Sequence, residues 1–213
     1  MIDNQILNWK YKRIDKKKIH SLRKYNGKIW DCKSPNGGKI SDKKNKFVKE
    51  IKKDIKAYLF ANQKNSKDER VRCAYCGSVL GITSSGEIEH IANKARYPQF
   101  MFCKKNLVLA CHLCNFPEKK GQFDVISNLN ADYTQCIFKI VHPILDKNSD
   151  HFKWLLQQEG MVIVPKTDKG FESTQLFELN SEPLMYNRYL EYLEERISLK
   201  PDHEQIVKDL YLF

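Results

Sequence analysis

The sequence predicts an α+β protein, and three observations carry that prediction. Residues 44–62 (KNKFVKEIKKDIKAYLFAN) repeat Phe47, Val48, Ile51, Ile55, Tyr58 and Leu59 at helical spacing, so one face of a helix is apolar. Two short segments, Gly86–Ile91 and Leu107–Ala110, read instead as strands. Around these segments stand two Cys-x-x-Cys pairs, Cys73/Cys76 and Cys111/Cys114, separated by 34 residues.

At 213 residues the chain has room for one domain, or for one domain with extensions. Charged residues make up 30% and no apolar run approaches the ~20 residues of a membrane span, which excludes a transmembrane helix. The N-terminus (MIDNQILNWKYKR) has no apolar stretch of signal-peptide type, and the expected location is cytoplasmic. The net charge of +11 is unevenly spread. Residues 1–70 carry 21 Lys+Arg against 8 Asp+Glu, whereas residues 71–213 carry 16 against 18. Such asymmetry points to a polyanion partner for the N-terminal third, with nucleic acid the default and a solvated Lys-rich surface the bland alternative.

In chain order, Ile6, Trp9, Ile14, Ile19 and Leu22 suggest one or two short amphipathic helices, with Trp9, Tyr11, Tyr25 and Trp30 docking on the core. Residues 34–38 (SPNGG) form a turn and 63–70 (QKNSKDER) a polar linker. Beyond the cysteine stretch, Phe123, Val125, Ile126, Leu129 and Tyr133 lead into a strand-like run at 136–141. Asp150 is placed to cap a turn in which Phe152, Trp154, Leu155 and Leu156 pack. Residues 160–179 read as a hairpin, with strands at 161–164 and 171–179 about a TDKG turn. From Ser181 the pattern is helical, with Tyr186, Leu190, Leu193 and Ile197 on one face. Pro201 ends that helix, and Ile206, Leu210 and Leu212 mark a last short one.

Seven cysteines, an odd number with two tight pairs, fit metal ligation better than disulfides. Four thiolates in two x-x-spaced pairs suit a closed tetrahedral zinc site, structural because no coordination position is left open. Cys32, Cys103 and Cys136 read as small buried hydrophobes. The zinc pairs enclose Glu89-His90 and Asn106, and Asn115 follows the last cysteine. The order is strand, loop, strand and helix-compatible segment.

In that order (Cys-x-x-Cys, Glu89-His90-Ile91, Asn106-Leu-x-x-x-Cys111, x-x-Cys114, Asn115) the stretch 73–120 resembles the HNH endonuclease family of zinc-stapled ββα-metal type. The resemblance implies an HNH finger with a structural four-cysteine zinc, flanked by a basic helical N-terminal region (1–70) and a C-terminal helix and hairpin region (123–213), with the nuclease core at 71–122. It also implies metal-dependent hydrolysis of phosphodiester bonds. His90 would be the general base, Glu89 and Asn115 hard oxygen donors to one Mg²⁺ or Mn²⁺, and Asn106 the residue that orients loop and His by bonds to backbone. Asn115 replaces the family's last His, and position 118 is Glu where the family often has Lys. His112 reads as a surface residue or a neighbour of the ligands, and His142 and His151 as core or capping histidines.

The layout as a whole is also similar to HNH subunits of bacterial antiphage systems of the Septu and retron-associated kinds. The matching stretches are His142-Pro143…Asp146…His151-Phe152 and Leu179-Asn180…Leu184…Arg188. This resemblance implies an SMC-like ATPase partner and, in retron systems, a reverse transcriptase with its RNA–DNA hybrid; no membrane is implied. The competing expectation is a non-catalytic zinc-stapled module for nucleic-acid binding or assembly, and nothing in the sequence separates DNA from RNA, tRNA included.

Overall fold

A computed structural model describes residues 13–64, 69–81, 84–115, 120–121, 123–157 and 160–198. Trp9, Tyr11 and the expected last helix with Ile206, Leu210 and Leu212 lie outside the described residues. The architecture is α+β: helices alternate with three separate two-stranded antiparallel sheets. Among the described residues no helix is long and apolar enough to cross a membrane.

Helix α1 (Arg13–Leu22) runs into a 3₁₀ segment (Arg23–Asp31) that carries Trp30 into the core. Gly27 is what lets this segment sit close: a Cβ there would lie 2.5 Å from the carbonyl oxygen of Lys94. Helix α2 (Asp42–Asn62) buries Val48, Ile51, Ile55 and Leu59, which follow the i, i+3, i+4 spacing. Its exposed positions include Lys43, Lys46, Lys49 and Lys53.

Strands β1 (Glu87–His90) and β2 (Leu107–Ala110) pair antiparallel, Glu89 opposite Val108 and His90 opposite Leu107. Every residue of β2 is buried, because both of its faces are covered. A one-turn helix α3 (His112–Asn115) follows directly. Gln63 attaches α2 to this hairpin. Its side chain accepts from the Leu109 N–H and donates to the Leu109 and Arg72 carbonyls, each at 2.7 Å. A fully buried amide at the end of a helix thus replaces the missing neighbour strand at β2.

Strands β3 (Ile126–Asn128) and β4 (Ile137–Phe138) form a small irregular pair. One turn of helix, α4 (Asn148–His151), precedes strand β5 (Phe152–Gln157), which pairs with β6 (Gly160–Pro165). Here the structure corrects the expected hairpin. The strand at 161–164 exists, but its partner is the segment 152–157 that precedes it. Residues 168–176 are helix α5 (Asp168–Leu176). Thr167 caps that helix by accepting from the Gly170 N–H at 3.2 Å. Gly170 is not a turn residue; its missing Cβ lets the helix approach the His151 carbonyl, which a Cβ would meet at 2.5 Å.

Helix α6 (Glu182–Ser198) is found as expected, but rotated. Leu184 and Arg188 are buried, while Tyr186 and Leu190 are 57% and 44% exposed. Polar contacts set that rotation. Glu191 pairs with Arg72 and accepts from the Val79 N–H, Glu194 holds Arg70 through two bonds of 2.8 and 3.0 Å, and Arg188 donates to the Met161 and Leu179 carbonyls. One apolar cluster runs through the molecule, from Leu22 and Trp30 through Leu107 and Leu109 to Phe177 and Leu184.

Candidate functional site

The first cysteine pair lies in a tight knuckle. The Cys73 N–H donates to the Ser78 carbonyl at 2.8 Å and the Gly77 N–H to the Cys73 carbonyl at 3.1 Å. Gly77 has φ +79, the left-handed region open to glycine. The Ala74 N–H bonds the Leu109 carbonyl at 3.0 Å, which fixes the knuckle to β2. The second pair follows β2 and enters α3. The four sulfurs of Cys73, Cys76, Cys111 and Cys114 all lie within 4.8 Å of one another, and all four residues are buried. Cys76 and Cys111 are 3.7 Å apart, close to the roughly 3.8 Å edge of a tetrahedron with ~2.3 Å zinc–sulfur bonds. Burial pushes the Cys73 thiol up, and hydrogen bonds from neighbouring thiols pull Cys76 and Cys111 down. Four adjacent thiolates need a divalent cation among them, so the donor set is compatible with zinc. All seven cysteines are free of disulfides; Cys136 is buried, Cys32 and Cys103 half-buried.

Strand β1 carries the remaining chemistry, and its alternation divides it between two faces. Ile88 and His90 leave one face. The His90 ring packs edge-on against Trp30, with centroids 4.4 Å apart. Its Nε2 lies 3.0 Å from the Met101 carbonyl oxygen. A carbonyl only accepts, so Nε2 carries the proton and Nδ1 is left as the basic nitrogen. Burial, helped by the Lys94 and Lys52 charges, lowers the His90 pKa to about 3, and the ring is neutral at physiological pH.

Glu87 and Glu89 leave the other face. Glu89 forms an ion pair with Lys120 and accepts from the Tyr75 hydroxyl at 3.5 Å. The same ammonium donates to the His90 and Ile91 carbonyls at 2.5 and 3.1 Å. Burial brings Lys120 down to about 7. Asn115 is brought to Glu87 rather than to Glu89, its amide donating at 2.5 Å. His112 is exposed, its ring nitrogen 3.4 Å from Glu87. Glu89 and Asn115, the two oxygen donors expected at one divalent ion, are thus not brought together: Glu89 is paired with Lys120 and Asn115 with Glu87.

Asn106 is fully buried and all four of its side-chain bonding positions are used. Its oxygen accepts from the Ala92 N–H at 2.6 Å and from the Tyr133 hydroxyl at 2.9 Å. Its nitrogen donates to the carbonyls of Ala92 at 3.1 Å and Phe100 at 3.0 Å. Asn106 therefore pins the chain two residues after His90. His142 and His151 do not form a ligand group: His142 is in the core, and His151 meets the Thr167 hydroxyl at 2.7 Å.

Sequence reasoning missed Glu87, Lys120, Gln63 and Tyr133. The period-2 pattern of Glu-Ile-Glu-His was a signal for Glu87, since it shares a face with Glu89. Gln63 and Lys120 sit in polar, Lys-rich stretches and gave none.

No family model matches the chain. The chain is similar to the Septu protein PtuB of Bacillus mycoides (strain KBAB4), with 26% identity over 167 residues, covering 68% of this chain and 56% of that protein. The match spans just over half the length of that curated relative.

Proposed function

We propose that this chain is a zinc-stapled, metal-dependent endonuclease of HNH type, the effector of an antiphage system that works with an ATPase partner. One observation carries the reading: the four-sulfur cluster, the β1–β2 hairpin and Asn106 together hold a neutral histidine whose tautomer is set by the Met101 carbonyl. The similarity to a Septu protein supports the defence setting. The basic 1–70 region would grip the phosphate backbone, the stretch 71–122 would be the nuclease core, and 123–213 would brace it and receive the partner.

In this mechanism His90 Nδ1 takes the proton of the attacking water. The Met101 carbonyl holds the opposite nitrogen and steadies the imidazolium that forms. Glu89 and Asn115, with Glu87 beside them, would hold the divalent ion after Lys120 withdraws from Glu89. That ion, when bound, supplies Lewis-acid stabilisation of the phosphate and the leaving oxygen. The four cysteines carry no step; they hold the hairpin in shape.

A second reading has an observation in its favour. Glu89 and His90 are buried on opposite faces, and Glu89 is already paired with Lys120. That pattern also suits a non-catalytic zinc-stapled module for nucleic-acid binding or assembly. His90→Ala separates the two. On plasmid, single-stranded DNA and total RNA, with Mg²⁺ or Mn²⁺ and the ATPase partner supplied, the variant is expected to lose cleavage by at least ~10²-fold and to keep nucleic-acid binding. Unchanged protection against phage in cells carrying His90→Ala would overturn the nuclease reading.

A further inference from the structure

A buried chain of hydrogen bonds reaches Asn106 from outside the hairpin. His142 is fully buried, and its Nδ1 accepts two backbone N–H groups, from Ile144 at 3.2 Å and Leu145 at 3.1 Å. Its proton therefore sits on Nε2, which donates to the Tyr133 hydroxyl at 3.0 Å. With that acceptor position filled, the Tyr133 hydroxyl donates its own proton to Asn106 Oδ1 at 2.9 Å. The bonds run one way: His142 to Tyr133 to Asn106, and from Asn106 to the Ala92 and Phe100 carbonyls.

The surroundings keep water and alternatives out. Phe100 and Phe138 stand edge-on to Tyr133 at 4.9 and 5.3 Å, and Phe138 stands edge-on to His142 at 4.6 Å. Asp146, paired with Lys169, accepts from the His142 backbone N–H at 2.8 Å. The consequence falls on the Asn106 amide. A flipped amide would set its NH₂ against both the Tyr133 hydroxyl proton and the Ala92 N–H. The Ala92 and Phe100 backbone sets the sense of the amide, and the Tyr133 hydroxyl, aimed by His142, adds the fourth bond in that same sense.

We propose that Tyr133 and His142 are positioning residues for the candidate catalytic loop: they lock the Asn106 amide, and through it the backbone two residues beyond His90. The inference rests on the nuclease reading only for its activity readout. It also gives the His142-Pro143…Asp146 stretch a task, since Asp146 holds the His142 backbone and His142 holds Tyr133.

The test is a double-mutant cycle on the full chain. Tyr133→Phe removes one oxygen and keeps the ring. His142→Asn keeps an acceptor for the Ile144 and Leu145 N–H groups, but its shorter amide has no donor at the Nε2 position that meets Tyr133. Each variant is expected to retain its zinc, to leave KM unchanged, to lower kcat about tenfold and to speed hydrogen exchange at the Ala92 amide about tenfold, the size of one lost buried hydrogen bond. The double variant should show the same loss as either single, because both cut one chain. Unchanged Ala92 exchange in Tyr133→Phe, or losses that multiply in the double variant, would overturn the proposal. If the wild-type chain does not cleave with Mg²⁺ or Mn²⁺ and the ATPase partner supplied, the nuclease reading falls and Ala92 exchange alone decides the positioning role.

Discussion

His142 illustrates how burial turns a titratable side chain into a fixed structural part. Its pKa is lowered to about 3, first by burial, with the Lys169 and Lys105 charges acting in the same direction and Asp146 against them. Between about pH 6.5 and pH 3 the unfolded chain binds a proton at this ring and the folded chain does not. Stability is therefore expected to fall as pH falls through that window, by up to ~1.4 kcal/mol per pH unit from this group. Urea midpoints between pH 7 and pH 4 measure the slope, and His142→Asn should remove this group's share of it. At Asn106, four filled bonding positions around a single amide leave no tolerance for Asp, which has no N–H to give Ala92 and Phe100.

At the scale of elements, two segments depart from their sequence pattern, each for its own reason. Residues 168–176 contain Gly170, which signals a turn in sequence and serves in space as a point of close approach to the His151 carbonyl. Gly170→Ala is expected to cost about 1–3 kcal/mol, read as a shift in the thermal midpoint, because backbone has to move on one side or the other. Helix α6 was legible as a helix but not as to its face. The apolar stripe through Tyr186 and Leu190 is exposed, and Arg188 and Glu191 face the protein instead. Periodicity counts apolar residues; it does not count arginines and glutamates that find partners far along the chain. By contrast, α2 followed its pattern closely: Val48, Ile51, Ile55 and Leu59 are all buried in the apolar cluster.

Over the whole molecule the sulfur cluster ties together parts that are too small to stand alone. Strands β1 and β2 are four residues each, α3 is a single turn, and the knuckle joins them through Ala74. The purified chain is expected to contain one zinc per molecule by elemental analysis. Stripping it with a strong chelator, or Cys114→Ser, should cause a cooperative loss of structure beyond the finger, because binding energy at such sites, roughly 10–16 kcal/mol in zinc-finger peptides, is folding energy. The loss should spread because the core that contains Cys73 and Cys114 also contains Ile55, Trp30 and Phe177. A melting curve that is unchanged without zinc would contradict this coupling.

Read as a string of residues, the chain already specified its cysteine frame, strand-like segments at 86–91 and 107–110, the helix at 44–62 and the concentration of positive charge in the first 70 residues. These are local or strictly spaced signals: an x-x gap, a period of two, a period of 3.6, a charge count. Folding in three dimensions was needed to bring Asn115 to Glu87, to lay Lys120 on Glu89, to complete the edge of β2 with Gln63, and to stand Tyr133 and His142 behind Asn106. Each of these joins polar groups whose separation along the chain carries no period, up to 46 residues for Gln63 and Leu109. What brings them together is the requirement that every buried donor and acceptor find a partner once the apolar core has closed around them.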